Sequence, residues 1–113
     1  MGEPMQLLRG TLDALILKAL STGERHGYEI ADWVREVTED VLQIEDGALY
    51  TALHRMEARG WLRSRWDVSE RGRRAKFYAL TRAGRRRLDH EERAWGRYVE
   101  AVTKVFAAGG GLT

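Results

Sequence analysis

After Gly60 the apolar residues of this chain stop recurring at the helical period of about 3.6 and begin to alternate at the strand period of 2. Before that point three segments read as amphipathic helices. In the first, over residues 7–20, Leu8, Leu12, Leu15, Ile16 and Ala19 share one stripe, and Ser21-Thr22-Gly23 closes it. The second runs from about 26 to 37, with Tyr28, Ile30, Ala31, Val34 and Val37 on its apolar face and Trp33 at the flank. The third runs from about 46 to 59, buries Leu49, Ala52, Leu53 and Met56, and stops at Gly60. Beyond Gly60, residues 61–66 and 75–80 alternate as strands around a polar loop at 67–74 that holds one glycine. That is a hairpin. Trp61 and Trp66 are expected to pack this hairpin onto the core. Thr81 is suited to cap a last helix reaching about Ala107, because its hydroxyl can bond the amides of Ala83 or Gly84. The expected fold is mainly α with a small β-hairpin: a winged helix-turn-helix followed by a C-terminal helix.

Charge is distributed unevenly over this plan. The net charge of the 113 residues is only +2, yet residues 55–87 hold twelve basic side chains against Glu57, Asp67 and Glu70, a net +9. Residues 1–54 carry −6 and residues 88–113 carry −1. A basic block beside a helical segment is the electrostatic footprint of a phosphate-binding surface. Size allows one domain with one core. Cysteine is absent, which excludes disulfides and thiolate metal sites. His26, His54 and His90 are scattered, without metal-ligand spacing, and His90-Glu91-Glu92 lacks the second histidine of a zinc-protease helix. No glycine loop is placed to cradle a phosphate. No catalytic residue, cofactor or metal is expected. The first apolar run is broken by Arg9, Asp13 and Lys18, so neither a signal peptide nor a membrane span is expected, and the default location is the cytoplasm.

In a winged helix-turn-helix the third helix enters the major groove of duplex DNA, whose width matches a helix. The buried stripe leaves Gly47, Ala48, Thr51, Arg55 and Ala58 on its far side, with Tyr50 and His54 between the two faces. Small residues there let the backbone approach DNA, and Thr51 can touch a base edge. The hairpin tip offers Arg71, Arg73, Arg74 and Lys76 to the backbone or minor groove. Arg85, Arg86 and Arg87 oppose the dipole of the last helix and need an anionic partner. Tyr28 is expected in the core. A winged helix serving only as a protein-interaction module is the alternative, and it leaves the basic wing without a role.

Four stretches make the pattern familiar: residues 10–20, His26-Gly27-Tyr28-Glu29-Ile30, residues 47–62 and residues 74–84. Together they resemble the PadR family of transcriptional regulators over roughly residues 8–88. Trp61, Trp66 and the single short C-terminal helix are most similar to the small acidobacterial-type branch. The resemblance implies a homodimer joined through the last helix, a bacterial regulator and usually a repressor. It also implies DNA contacts at Tyr50, Thr51, Arg73, Arg74 and Lys76. Glu45-Asp46, just before the third helix, departs from what a phosphate would favour there.

The last helix has a heptad-like seam of Leu88, Trp95, Val99, Val102 and Phe106, which calls for a partner helix. Leu8 and Leu12 are expected to share that interface, with Tyr98 beside it. The expected division is a DNA-binding part at 1–81, a dimerisation helix at 82–108 and a disordered tail at 109–113. Two-fold pairing implies an inverted-repeat operator. Trp95 and Tyr98 either fill the interface or sandwich a flat aromatic effector; the residues alone leave both readings open.

Overall fold

The computed structural model describes the backbone of residues 3–8 and 10–111. Its elements run α1 (Leu12–Ser21), β1 (Arg25–His26), α2 (Gly27–Val37), α3 (Asp46–Ala58), β2 (Leu62–Val68), β3 (Arg74–Leu80) and α4 (Arg82–Gly111). The strands form one antiparallel sheet in the order β1-β3-β2. This is the winged helix-turn-helix with a C-terminal helix that the apolar periods predict. The extra strand, β1, sets Arg25 opposite Tyr78 and His26 opposite Phe77. Two residues are too few to display a period, so nothing in the pattern announces it.

Local chemistry fixes the element ends. His26 starts α2 with a reciprocal cap: its Nδ1 accepts from the Glu29 amide at 3.4 Å, and Glu29 Oε1 accepts from the His26 amide at 3.1 Å. Thr38 shapes the exit, donating to the Val34 carbonyl at 2.9 Å and accepting from the Leu42 amide at 3.0 Å. Glu39 and Asp40 then take positive φ of 51° and 68°, turning the chain back toward α3. The first helix begins later than its period suggests. The hydroxyl and amide of Thr11 both donate to the Leu8 carbonyl, at 2.7 and 3.2 Å, and this turn delays the helix to Leu12. Leu8 therefore precedes α1 and is 60% exposed. The strand-like segment before it pairs with the α2–α3 turn, where the Met5 amide donates to the Val41 carbonyl at 2.8 Å.

One core lies between the helices and the sheet, built from Ile16, Leu17, Leu20, Ile30, Val34, Leu49, Leu53, Met56, Leu62, Tyr78 and Leu80. Leu88 joins it at 6% exposure. The heptad reading put Leu88 in a dimer seam; the first two turns of α4 pack back on the domain and bury it within one chain. Tyr28 and Val37, expected in the core, are exposed. The buried positions of α2 are Gly27, Ile30 and Val34, which leaves 28 and 37 outside the stripe. Trp61 packs against the core, as expected, while Trp66 is exposed on the wing.

Thr81 locks α4 to the end of α3. Its hydroxyl donates to the Gly60 carbonyl at 2.6 Å and accepts from the Gly84 amide at 3.0 Å. A Cβ at position 84 would collide with the Trp61 carbonyl, so the close approach of α4 to the base of the wing requires glycine. From there α4 extends for 30 residues, about 45 Å at 1.5 Å each. It continues through Gly109–Gly111, which the sequence assigns to a disordered tail. Glycine costs a helix about 1 kcal/mol, and no proline or cap interrupts the ladder there. The expected disorder of 112–113 lies outside the described residues. Trp95, Tyr98, Val99, Val105 and Phe106 stay exposed along α4.

Candidate nucleic-acid interface

Packing decides which face of α3 can meet a ligand. Leu49, Ala52, Leu53 and Met56 point into the core. At 100° per residue the opposite face is centred on Gly47, Thr51, His54 and Ala58, all exposed. Thr51 and His54 are the polar side chains at the centre of that face. The flank expected for His54 is occupied instead by Tyr50 and Glu57. Gly47 and Ala48 form a low surface at the start of the helix, as the sequence suggests.

Tyr50 leans back onto α2. A Cβ at Gly27 would lie 2.5 Å from the Tyr50 hydroxyl, so the phenol rests against bare backbone there. Burial, and then the neighbouring Tyr28, push its pKa up from 10.0, which keeps the hydroxyl protonated and able to donate. The residue remains 42% exposed. It therefore packs and presents a donor at once.

Several cations of the basic block are already engaged. Arg55, expected to meet DNA, grips Asp13 of α1 with both guanidinium nitrogens, at 2.6 and 2.8 Å. This fork ties α3 to α1, and the bond to Asp13 raises the arginine pKa. Lys76, also expected at the DNA, lies 3.1 Å from Glu57 Oε1. Glu57 accepts in addition from the Ser64 hydroxyl at 2.5 Å. That hydrogen bond first, then Lys76, hold the Glu57 carboxyl below its ordinary value. Arg65 links Glu24, at 2.6 Å, and Asp67. The Lys76–Glu57 pair fastens β3 to α3, and Arg65–Glu24 fastens β2 to the turn after α1.

The wing keeps the remainder free. Arg74 stacks its guanidinium 4.9 Å above the Trp66 ring, which bridges the two strands. Arg71 and Arg73, at the exposed tip, have no ion pair among the described residues. Between the wing and α2 runs a groove of about 870 Å³. Its wing side carries Arg71, Arg73 and Arg74, with Glu70; its α2 side carries His26, Tyr28 and Arg35, with Glu29 and Asp32. The sequence does not single out Arg35, and its apolar pattern assigns Tyr28 to the core rather than to a surface. The spacing of Gly27, Ile30 and Val34, at i, i+3 and i+7, would have placed Tyr28 outside.

On α4, Trp95 and Tyr98 stack with ring centres 6.0 Å apart and planes inclined by 28°. Val99 and Phe106 continue that stripe in the open, Val102 is half-buried, and Leu12 is half-buried on α1. Among the described residues, no group of histidine, aspartate or glutamate side chains could hold a metal ion. No described helix is long and apolar enough to cross a membrane.

Known proteins share this arrangement. Residues 16–90 match the model of the transcriptional regulator PadR-like family. An uncharacterised protein of Lysinibacillus sphaericus is 31% identical over 104 residues, which cover 91% of this chain and 94% of that one. A transcriptional regulator from Clostridium thermocellum superposes with a TM-score of 0.77 at 29% identity, covering 85% of this chain and 90% of its own. A PadR family transcription regulator from Clostridium difficile gives a TM-score of 0.71 at 34% identity, covering 87% of this chain and 99% of its own.

Proposed function

Since this chain belongs to the PadR-like family of transcriptional regulators, and is a DNA-binding regulator rather than an enzyme, we propose that it is a homodimeric repressor of an inverted-repeat operator. The observation that carries the reading is the pairing of two surfaces. The outward face of α3 is low and polar at Thr51 and His54. Beside it stands a wing whose tip arginines have no carboxylate partner among the described residues. Thr51 and His54 read base edges in the major groove. Tyr50, from the flank of α3, donates its hydroxyl to a phosphate. Arg71 and Arg73 follow the backbone into the adjacent minor groove, and Arg74 supports them from its stack on Trp66. The groove between wing and α2 accepts the strand that runs between the two grooves on its wing side and at Tyr28, since Arg35 is held 3.0 Å from Asp32.

Residues 1–81 supply this DNA-binding part and residues 82–108 the dimer contact. Trp95, Tyr98, Val99, Val102 and Phe106 meet their copies across a two-fold axis, with Leu12 alongside. A stripe of that size left in water would be a liability for a monomer. Two-fold symmetry places the recognition helices about 34 Å apart, one turn of DNA. The stacked Trp95–Tyr98 pair supports a flat aromatic effector at the dimer centre, which acts by favouring one spacing of the two α3 helices. The test is titration of a labelled duplex at several salt concentrations. Steep loss of affinity with salt is expected, and a smaller slope for Arg71→Ala/Arg73→Ala. A flat salt response overturns the reading.

A further inference from the structure

The arginines of α4 divide into two sets, with the exposed Arg85 standing about 90° to the side of the second. Arg87 is engaged, 3.0 Å from Glu91 and with its guanidinium 4.7 Å from the Trp61 ring centre. Arg82, Arg86, Arg93 and Arg97 are exposed and form no ion pair among the described residues. At 100° per residue these four fall within about 60° of one another, on the side of α4 opposite Leu88, Trp95, Val99 and Phe106. The apolar stripe therefore faces the core and the dimer axis, and the arginine stripe faces water. Asp89 adjoins it as an acid, and Glu100 is taken by Lys104 at 3.6 Å. Arg86, Arg93 and Arg97, together with Asp89 and His90, line a shallow depression of about 450 Å³ on this face.

A solvated surface is a poor account of the stripe. The first turn of α4 contains no acidic residue, so Arg82, at the head of the stripe, meets the positive end of the helix dipole. An anion laid along the stripe answers both charges. From Arg82 to Arg97 the stripe spans about 22 Å, the length of about six base pairs at 3.4 Å each. It also begins where the recognition helix ends, because Thr81 holds the Gly60 carbonyl. The exposed Arg59, stacked on Trp61 at 5.3 Å, lies at that junction. The line of cations thus runs on from α3 without a carboxylate partner.

We propose that the outward face of α4, through Arg82, Arg86, Arg93 and Arg97, is a second phosphate-binding surface that takes duplex DNA lying outside the segment read by α3 and the wing. It rests on duplex DNA being the partner, but on none of the residues of the first surface.

The experiment uses the full chain and a mixed-sequence duplex of about 60 base pairs, recording log affinity against log salt. Glutamine keeps helix propensity, so Arg86→Gln/Arg93→Gln/Arg97→Gln should stay folded, with circular dichroism as the check. The slope should fall by nearly three per protomer, and by a separate amount for Arg71→Ala/Arg73→Ala. A wing variant with unchanged slope refutes the wing reading alone; a stripe variant with unchanged slope refutes the second surface alone. The chain has no cysteine, so Ala94→Cys gives one attachment point for an iron–EDTA cleavage reagent. Strand scission from that position is expected, and its loss when the three arginines become glutamine. Absence of scission overturns the proposal. So does co-sedimentation with phosphatidylserine–phosphatidylcholine vesicles that needs these arginines while the DNA slope does not.

Discussion

Whether a cation reaches a phosphate depends on which carboxylate is nearer. Arg55 has Asp13 at 2.6 Å, so its charge is committed inside the domain. Arg55→Ala should cost about 1 kcal/mol in urea unfolding, given partial exposure and a two-pronged pair. It should leave the salt slope of DNA binding unchanged. Arg73→Ala should do the reverse: wild-type stability with a slope smaller by about one per protomer. Thr51→Ala should alter the ranking of duplex sequences more than average affinity, as read by competition among duplexes. Glu57 supplies a pH signature. Its carboxyl is held low by Ser64 and Lys76, so its stabilising effect is present above the ordinary value of 4.5 and is lost as pH falls through its lower folded value. Thermal melts should decline below about pH 4.5, and Glu57→Gln should decline less over that interval. At this scale the sequence shows charge and hides distance. Asp13 is 42 residues from Arg55, and Lys76 meets Glu57 only through the sheet. Summing the basic block therefore overstates the cations that stand without a carboxylate partner, since Arg55 and Lys76 are both paired within the chain.

Elements were legible wherever a period had room to show itself. The second and third helices end within a residue or two of their predicted limits, and Gly60, Thr81 and the hairpin lie where turn and cap chemistry put them. What escaped is short or tertiary. β1 has two residues. The start of α1 depends on a turn closed by Thr11, and the fate of Leu88 depends on α4 packing back on its own domain rather than on a heptad. The Thr81–Gly84 junction is the element-scale feature that holds wing and α4 together. Gly84→Ala forces a Cβ onto the Trp61 carbonyl and should cost about 2–4 kcal/mol, seen as a lower urea midpoint at unchanged slope. Gly96, with no neighbour within 4 Å of an added Cβ, is the matched control. Gly96→Ala should leave stability equal or higher.

As a whole the molecule measures 59 × 31 × 22 Å, and the long dimension leaves an apolar stripe on α4 without a covering element. In a dimer that stripe is the joint, and α4 sets the distance between the two recognition helices. Val99→Asp should yield monomers in sedimentation equilibrium and weaken operator binding far more than it weakens the fold, because two half-sites then bind separately. The apolar stripe was legible in the sequence as a heptad; the arginine line on the opposite side of the same helix is split between the end of the basic block, with Arg82 and Arg86, and the nearly neutral residues 88–113, with Arg93 and Arg97, so a charge count by segment does not gather it. Selection of tight binders from a random pool of duplex DNA should enrich an inverted repeat with half-site centres about 10 base pairs apart, one helical turn. Enrichment of a single unrepeated site, or of no sequence, would overturn the reading of a two-fold dimer with one α3 on each half-site.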